Sequence, residues 1–115
     1  MSLLNGLIAS LQDKDSSVRG RAAEALRELK ASTPEVITAL IASLQDTDSG
    51  VRMKAADALG GIKDSIPEVI SALLTALQDK EAYVRRRAAD ALGRIEASTP
   101  EVISGLLAAL KDEDW

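Results

Sequence analysis

Asp46-Thr47-Asp48-Ser49-Gly50-Val51-Arg52-Met53-Lys54-Ala55-Ala56-Asp57-Ala58-Leu59 decides how the chain folds, because it recurs. Asp13 to Leu26 reads D-K-D-S-S-V-R-G-R-A-A-E-A-L, and Asp79 to Leu92 reads D-K-E-A-Y-V-R-R-R-A-A-D-A-L. The copies follow one another every 33 residues, and a fourth opens at Asp112 and runs to Trp115. A fixed period of this size marks a solenoid, in which each unit hides its apolar face only against its neighbours.

Working outward, each motif is flanked by a second apolar segment. Leu3, Leu4, Leu7, Ile8 and Leu11 stand in register with Val36, Ile37, Leu40, Ile41 and Leu44. That spacing puts them on one stripe of an α-helix. These A helices are expected over about 3–12, 34–45, 67–78 and 100–111. Thr33-Pro34-Glu35 and Thr99-Pro100-Glu101 supply a hydroxyl cap, a proline at the first helical position and an acid in the first turn. The third A helix has Ile66 in place of the threonine, predicting a lost cap worth about 1 kcal/mol and a more frayed start.

The repeated motif itself predicts B helices over about 16–30, 49–63 and 82–96, capped by Asp15, Asp48 and the weaker Glu81. Their buried stripe reads Val18, Ala22, Ala25, Leu26 and Leu29 in the first copy, and Val51, Ala55, Ala58, Leu59 and Ile62 in the second. The third gives Val84, Ala88, Ala91, Leu92 and Ile95. Gly6, Ala39, Ala72 and Gly105 form an all-small column, which predicts close helix approach. Gly60-Gly61 belongs to no such column and should weaken the end of the second B helix. The expected fold is all-α: a right-handed α-α superhelix of three full helix pairs plus one extra A helix. It forms a single array over 1–115, with repeats at about 1–33, 34–66, 67–99 and a partial 100–115. Both ends keep the interior apolar pattern, at Leu3, Leu7 and Leu11 and at Leu106, Leu107 and Leu110. This predicts a fragment of a longer array and end-to-end association through the exposed terminal helices.

Composition narrows the function. The 115 residues carry a net charge of −4, which disfavours a general polyanion binder. There is no Cys and no His, so thiolate sites, disulfides and the commonest general base are excluded. No apolar run approaches the roughly 20 residues of a spanning helix, and a cytoplasmic protein is the default expectation.

The motif D-x-D-x-x-V-R-x-x-A-A-x-A-L, the A helix that follows and a closing L-x-D resemble HEAT repeats of the short kind found in phycobilisome lyases. The chain is also similar to artificial consensus proteins built on them, although Ile66 and Gly60-Gly61 point to a natural sequence. The resemblance implies A helices on the convex side and B helices on a concave wall that binds partners. It implies foremost a non-catalytic scaffold for a protein partner, alternatively a bilin lyase subunit, and less readily a nucleic-acid-binding module. Carried over by position, the wall presents Arg21 and Glu24, then Met53, Lys54 and Asp57, then Tyr83, Arg86, Arg87, Asp90 and Arg94. These positions differ between copies while their neighbours hardly change.

Other groups carry candidate chemistry. Arg19, Arg52 and Arg85 recur with Asp13, Asp46, Asp79 and Asp112. They read either as an anion-binding row or as a ladder fixing the stagger of adjacent repeats, and the matched aspartates favour the ladder. Arg86, Arg87 and Arg94 with Tyr83, Lys54 and Arg21 could form a basic groove for nucleic acid, but Glu24, Glu28, Asp57 and Asp90 nearly cancel their charge. Arg21/Glu24, Lys54/Asp57 and Arg87/Asp90 are spaced as ordinary intrahelical pairs. Tyr83 reads equally as an interaction anchor and as the cover of a helix end. Asp13-x-Asp15 lacks the glycine and glutamate of a calcium loop. No catalytic, cofactor-binding or metal-binding constellation is expected.

Overall fold

The computed structural model describes residues 2–62, 66–95 and 99–110. Among these lie seven helices: α1 (Leu3–Ser10), α2 (Ser16–Glu28), α3 (Pro34–Ser43), α4 (Ser49–Gly60), α5 (Pro67–Ala76), α6 (Ala82–Arg94) and α7 (Pro100–Leu110). The odd-numbered helices are the A helices and the even-numbered ones the B helices, so the chain is an α-α superhelix measuring 44 × 26 × 17 Å. Asp112, Glu113, Asp114 and Trp115, which open the fourth motif, lie outside the described residues, as do the predicted helix ends at 63, 96 and 111.

Each of α1, α3 and α5 stops one residue before the apolar pattern does and two before the expected helix end. Leu11, Leu44 and Leu77 are still buried, but the chain tightens there into bonds to the third residue back, such as Gln45 N–H to the Ala42 carbonyl at 3.0 Å. Pattern records burial, and burial continues through a turn that is no longer α-helical.

The starts follow the side chains available. Thr33 Oγ1 accepts from Val36 N–H at 3.3 Å, and Thr99 Oγ1 accepts from Val102 N–H at 3.4 Å. Asp15 and Asp48 cap α2 and α4, whereas Glu81 makes no capping bond to α6. Ile66 offers none either, so Val69 N–H falls back on the Ile66 carbonyl at 3.0 Å. The helix nonetheless begins at Pro67, in register with Pro34, because the Ile66 side chain packs against the core. At the first A helix, Ser2 replaces the missing Thr-Pro-Glu signal, its Oγ accepting from Asn5 N–H at 3.1 Å.

The two layers pack differently. α4 lies along both α2 and α6 with extensive contact, whereas successive A helices touch at few points. Small side chains permit the closeness: on the B helices Ala22, Ala23, Ala55, Ala56, Ala58, Ala88 and Ala91 are all buried. Gly60 takes this furthest, since a Cβ there would sit 2.8 Å from Ala91 of α6. Gly60 therefore serves the close approach of α4 to α6, and the expected weakening is confined to a helix one residue shorter than its two counterparts. Gly105 plays the same part in the outer layer, facing Leu74 and Leu77, while Gly6 has no earlier helix to meet. The splayed outer helices leave a groove of about 590 Å³ between α3 and α5, lined partly by Ile37, Ile41 and Ile66.

Two expected core positions are corrected. Val51 and Val84 are 1% and 0% exposed, but Val18 is 36% exposed. Leu29 is 50% exposed, while its counterparts Ile62 and Ile95 are buried. Both departures fall on the first repeat, whose outer flank is not packed against another repeat among the described residues.

Candidate functional site

The loops that enter the B helices are built around the arginine ladder. Arg19 donates from Nε to Asp46 Oδ2 at 2.8 Å and from Nη2 to Asp46 Oδ1 at 3.0 Å. Arg52 repeats the two-pronged contact on Asp79 at 2.7 and 3.2 Å. The remaining amino group of each binds its own loop, Arg19 Nη1 to the Asp13 carbonyl and Arg52 Nη1 to the Asp46 carbonyl, both at 2.8 Å. Each aspartate also accepts the N–H two residues on, from Asp48 and Glu81, at 2.9 Å. Every rung thus ties one repeat's helix start to the next repeat's loop and fixes their stagger. Arg85 Nη1 likewise donates to the Asp79 carbonyl at 2.8 Å, while Asp112 lies outside the described residues.

Burial raises the carboxyl pKa of Asp46 and Asp79. The facing guanidinium, the loop N–H and the neighbouring positive charges outweigh it and hold both below the usual aspartate range. Arg19 and Arg52 are held above the usual guanidinium value, chiefly by the hydrogen bonds to Asp46 and Asp79.

On the inner wall Lys54 and Arg87 pair across helices, not with Asp57 and Asp90 of their own helices as the spacing suggested. Lys54 Nζ lies 2.8 Å from Glu24 Oε1, its stem crossing the space that Gly20 leaves open. Arg87 Nη1 reaches back from α6 to Asp57 Oδ2 at 2.5 Å. In both cases the cation of the later repeat contacts the acid of the earlier one. The close layer brings neighbouring helices within reach, and the Lys54 hydrogen bond and charge hold the Glu24 carboxyl below its usual range.

Among the ten residues assigned to the wall, Arg21, Glu24, Tyr83, Arg86, Arg87, Asp90 and Arg94 are exposed, and Met53 and Lys54 half-buried. Asp57 is corrected: it is 7% exposed and acts as a strut for Arg87, because Arg87 and the adjacent helix cover it. The Tyr83 hydroxyl bonds Ser49 Oγ at the start of α4, and 41% of the residue is exposed.

Two concavities line the wall. One of about 220 Å³ lies among Glu24, Arg27, Met53, Lys54, Asp57 and Arg87. A larger cleft of about 670 Å³ opens at the C-terminal ends of α2, α4 and α6, lined by Arg27, Glu28, Lys30, Gly60, Gly61 and Arg94. Arg27 and Lys30 were not singled out by sequence. The signal that could have found them is their register, since Arg27 aligns with Gly60 and so faces a gap. Among the described residues no group of His, Cys, Asp and Glu could hold a metal ion, and no helix is long and apolar enough to cross a membrane.

The stacked helix pairs and their arginine ladder define an α-helical repeat protein. The sequence profile of HEAT repeats matches residues 4–81 and 65–115, and the chain belongs to that family. Among solved structures it is similar to two engineered proteins from the Northeast Structural Genomics Consortium, at 26% and 27% identity, each with a TM-score of 0.67. Each match covers 95% of this chain but only 52% and 51% of the other, so the chain spans about half their length. No curated protein is significantly similar to it.

Proposed function

We propose that the protein is a non-catalytic scaffold that binds a protein partner along the inner wall formed by α2, α4 and α6. The observation that carries the reading is a division of labour within the motif. Valine, alanine, leucine and the ladder arginine are the same in each copy and are buried or paired in the interior repeats. The wall positions between them change from Gly20 to Met53 to Arg86, and from Ser17 to Gly50 to Tyr83. Tyr83 and Arg86, both exposed on the third repeat, supply an aromatic and a guanidinium of the kind that anchors interfaces.

Affinity capture of a partner with paired variants tests this. Tyr83→Ala combined with Arg86→Ala should weaken capture by at least about tenfold, the loss of one or two anchor side chains. Glu35→Ala on α3 and Ser71→Ala on α5, both exposed on the outer layer, should leave capture unchanged. Equal retention by both sets, with circular dichroism unaltered, would remove the wall from the binding site.

A further inference from the structure

Two groups stand out among the cations of the inner layer. Arg19, Arg52, Lys54 and Arg87 are each committed to a carboxylate of a neighbouring repeat. Arg27, Lys30 and Arg94 make no ion pair among the described residues, and all three line the 670 Å³ cleft. Against them the described lining sets one acid, Glu28, in a chain whose net charge is −4. Among the described residues it is a positive recess on an acidic protein.

The floor of the cleft is Gly60 and Gly61, and the two glycines have different reasons. Gly60 is required by packing, since Ala91 leaves no room for a side chain. Gly61 is not. The nearest atoms to a Cβ there are carbonyl oxygens of its own helix, Ala58 at 3.3 Å and Asp57 at 4.0 Å, and no described residue of a neighbouring helix comes within 4 Å. The positions in register carry the long side chains Glu28 and Arg94. The recess therefore stays open because one side chain is missing, not because the fold forbids it. Arg27 and Arg94 sit in the last turns of α2 and α6, where a cation also offsets the negative end of the helix dipole. That accounts for two of the cations and leaves the open floor and Lys30 unexplained.

We infer that this cleft receives an acidic segment of the protein partner, with carboxylate side chains seated between Arg27, Lys30 and Arg94. The inference rests on the inner-wall reading and names the chemistry of what binds there. A guanidinium takes a carboxylate through two parallel hydrogen bonds, so Arg27 and Arg94 on opposite sides of the glycines suit successive acids of an extended chain. Arg94 Nη1 lies over Gly60, 3.2 Å from where a Cβ would sit, and the open floor at Gly61 lets that chain lie close to the end of α4.

The test is a titration of acetylated, amidated pentaglutamate into the labelled protein, followed by amide chemical shifts. Shifts should gather at residues 27–30, 60, 61 and 94, and added salt at about 0.5 M should weaken binding severalfold. Gly61→Glu, which installs the residue the first repeat carries in that place, should weaken it by at least about tenfold. Arg94→Gln should do so severalfold, with helicity unchanged in both. No shifts at these residues, indifference to both variants, or tighter binding of pentalysine or of oligothymidylate would overturn the inference. Partner capture that survives Gly61→Glu but is lost in Tyr83→Ala with Arg86→Ala would sink the cleft and leave the wall standing. Capture indifferent to Tyr83 and Arg86 would sink the wall reading itself.

Discussion

Val18 and Val51 hold the same place in the same motif, yet the first is 36% exposed and the second 1%. Leu29 and Ile62 repeat the contrast at the other end of the helix. Nothing local separates the members of each pair, because both sit on the apolar stripe of a B helix. What differs is the preceding copy: α4 packs on α2 before it, as α6 packs on α4, whereas α2 has no earlier B helix among the described residues. The arginine ladder runs the same way, for Asp46 and Asp79 each receive an arginine from the repeat before, while Asp13 has none among the described residues. In a solenoid of this kind a motif makes a residue capable of burial, and the adjoining copy completes it.

The sharpest way to break the comparison is to remove matched ladder aspartates. Asp79→Ala strands Arg52, whose side chain is only 8% exposed, and should cost about 3–5 kcal/mol in urea unfolding. Asp13→Ala forfeits only the bond from its own loop, Asp15 N–H at 2.9 Å, and should cost about 1 kcal/mol or less. Equal costs would mean that the ladder contributes nothing beyond its loops.

Acid should erase the same difference. Asp46 and Asp79 have folded-state pKa values depressed below the unfolded aspartate value of about 3.9, so the folded protein binds these protons less readily than the unfolded chain. Their stabilisation is complete above that value and is lost as pH falls through the depressed one. Stability should therefore be level near neutrality and drop below about pH 4, with a shallower drop in Asp79→Asn. A variant whose acid limb matches the parent's would exclude Asp79 as a contributor.

Smaller effects sharpen the contrast. Val51→Ala should cost about 2–3 kcal/mol, the transfer of two methyl groups plus part of a cavity, and Val18→Ala less than about 1 kcal/mol. Lys30 closes α2 with φ at 53°, its N–H bonding the Arg27 carbonyl and Ala31 N–H bonding the Leu26 carbonyl. This left-handed cap favours glycine, so Lys30→Gly should raise stability by about 0.5–1 kcal/mol. A loss would show that the lysine stem packs usefully at that terminal edge.

Much of this was legible in the residues. The 33-residue period, the alternation of helix types, the cap at Thr33, its absence at Ile66 and the ladder of Arg19 and Arg52 all follow from spacing and side-chain chemistry. What was not legible depended on distance between copies. Lys54 and Asp57 are spaced to pair on one helix, but only the approach of the alanine-lined B helices shows that Lys54 turns to Glu24 and Asp57 to Arg87. Ser2 lay hidden as a cap because it lacks the proline and glutamate that mark the others. Arg27 gains meaning only once Gly60 and Gly61 are seen as a floor beside it.

Residue-by-residue amide hydrogen exchange in the native protein measures most directly whether neighbours, not sequence, confer burial. Stacking predicts the slowest exchange in α4, around Ala55 to Leu59, with the equivalent residues Ala22 to Leu26 of α2 and all of α1 opening at lower free energy. Uniform protection across the three motifs, or α1 and α2 outlasting α4, would contradict it.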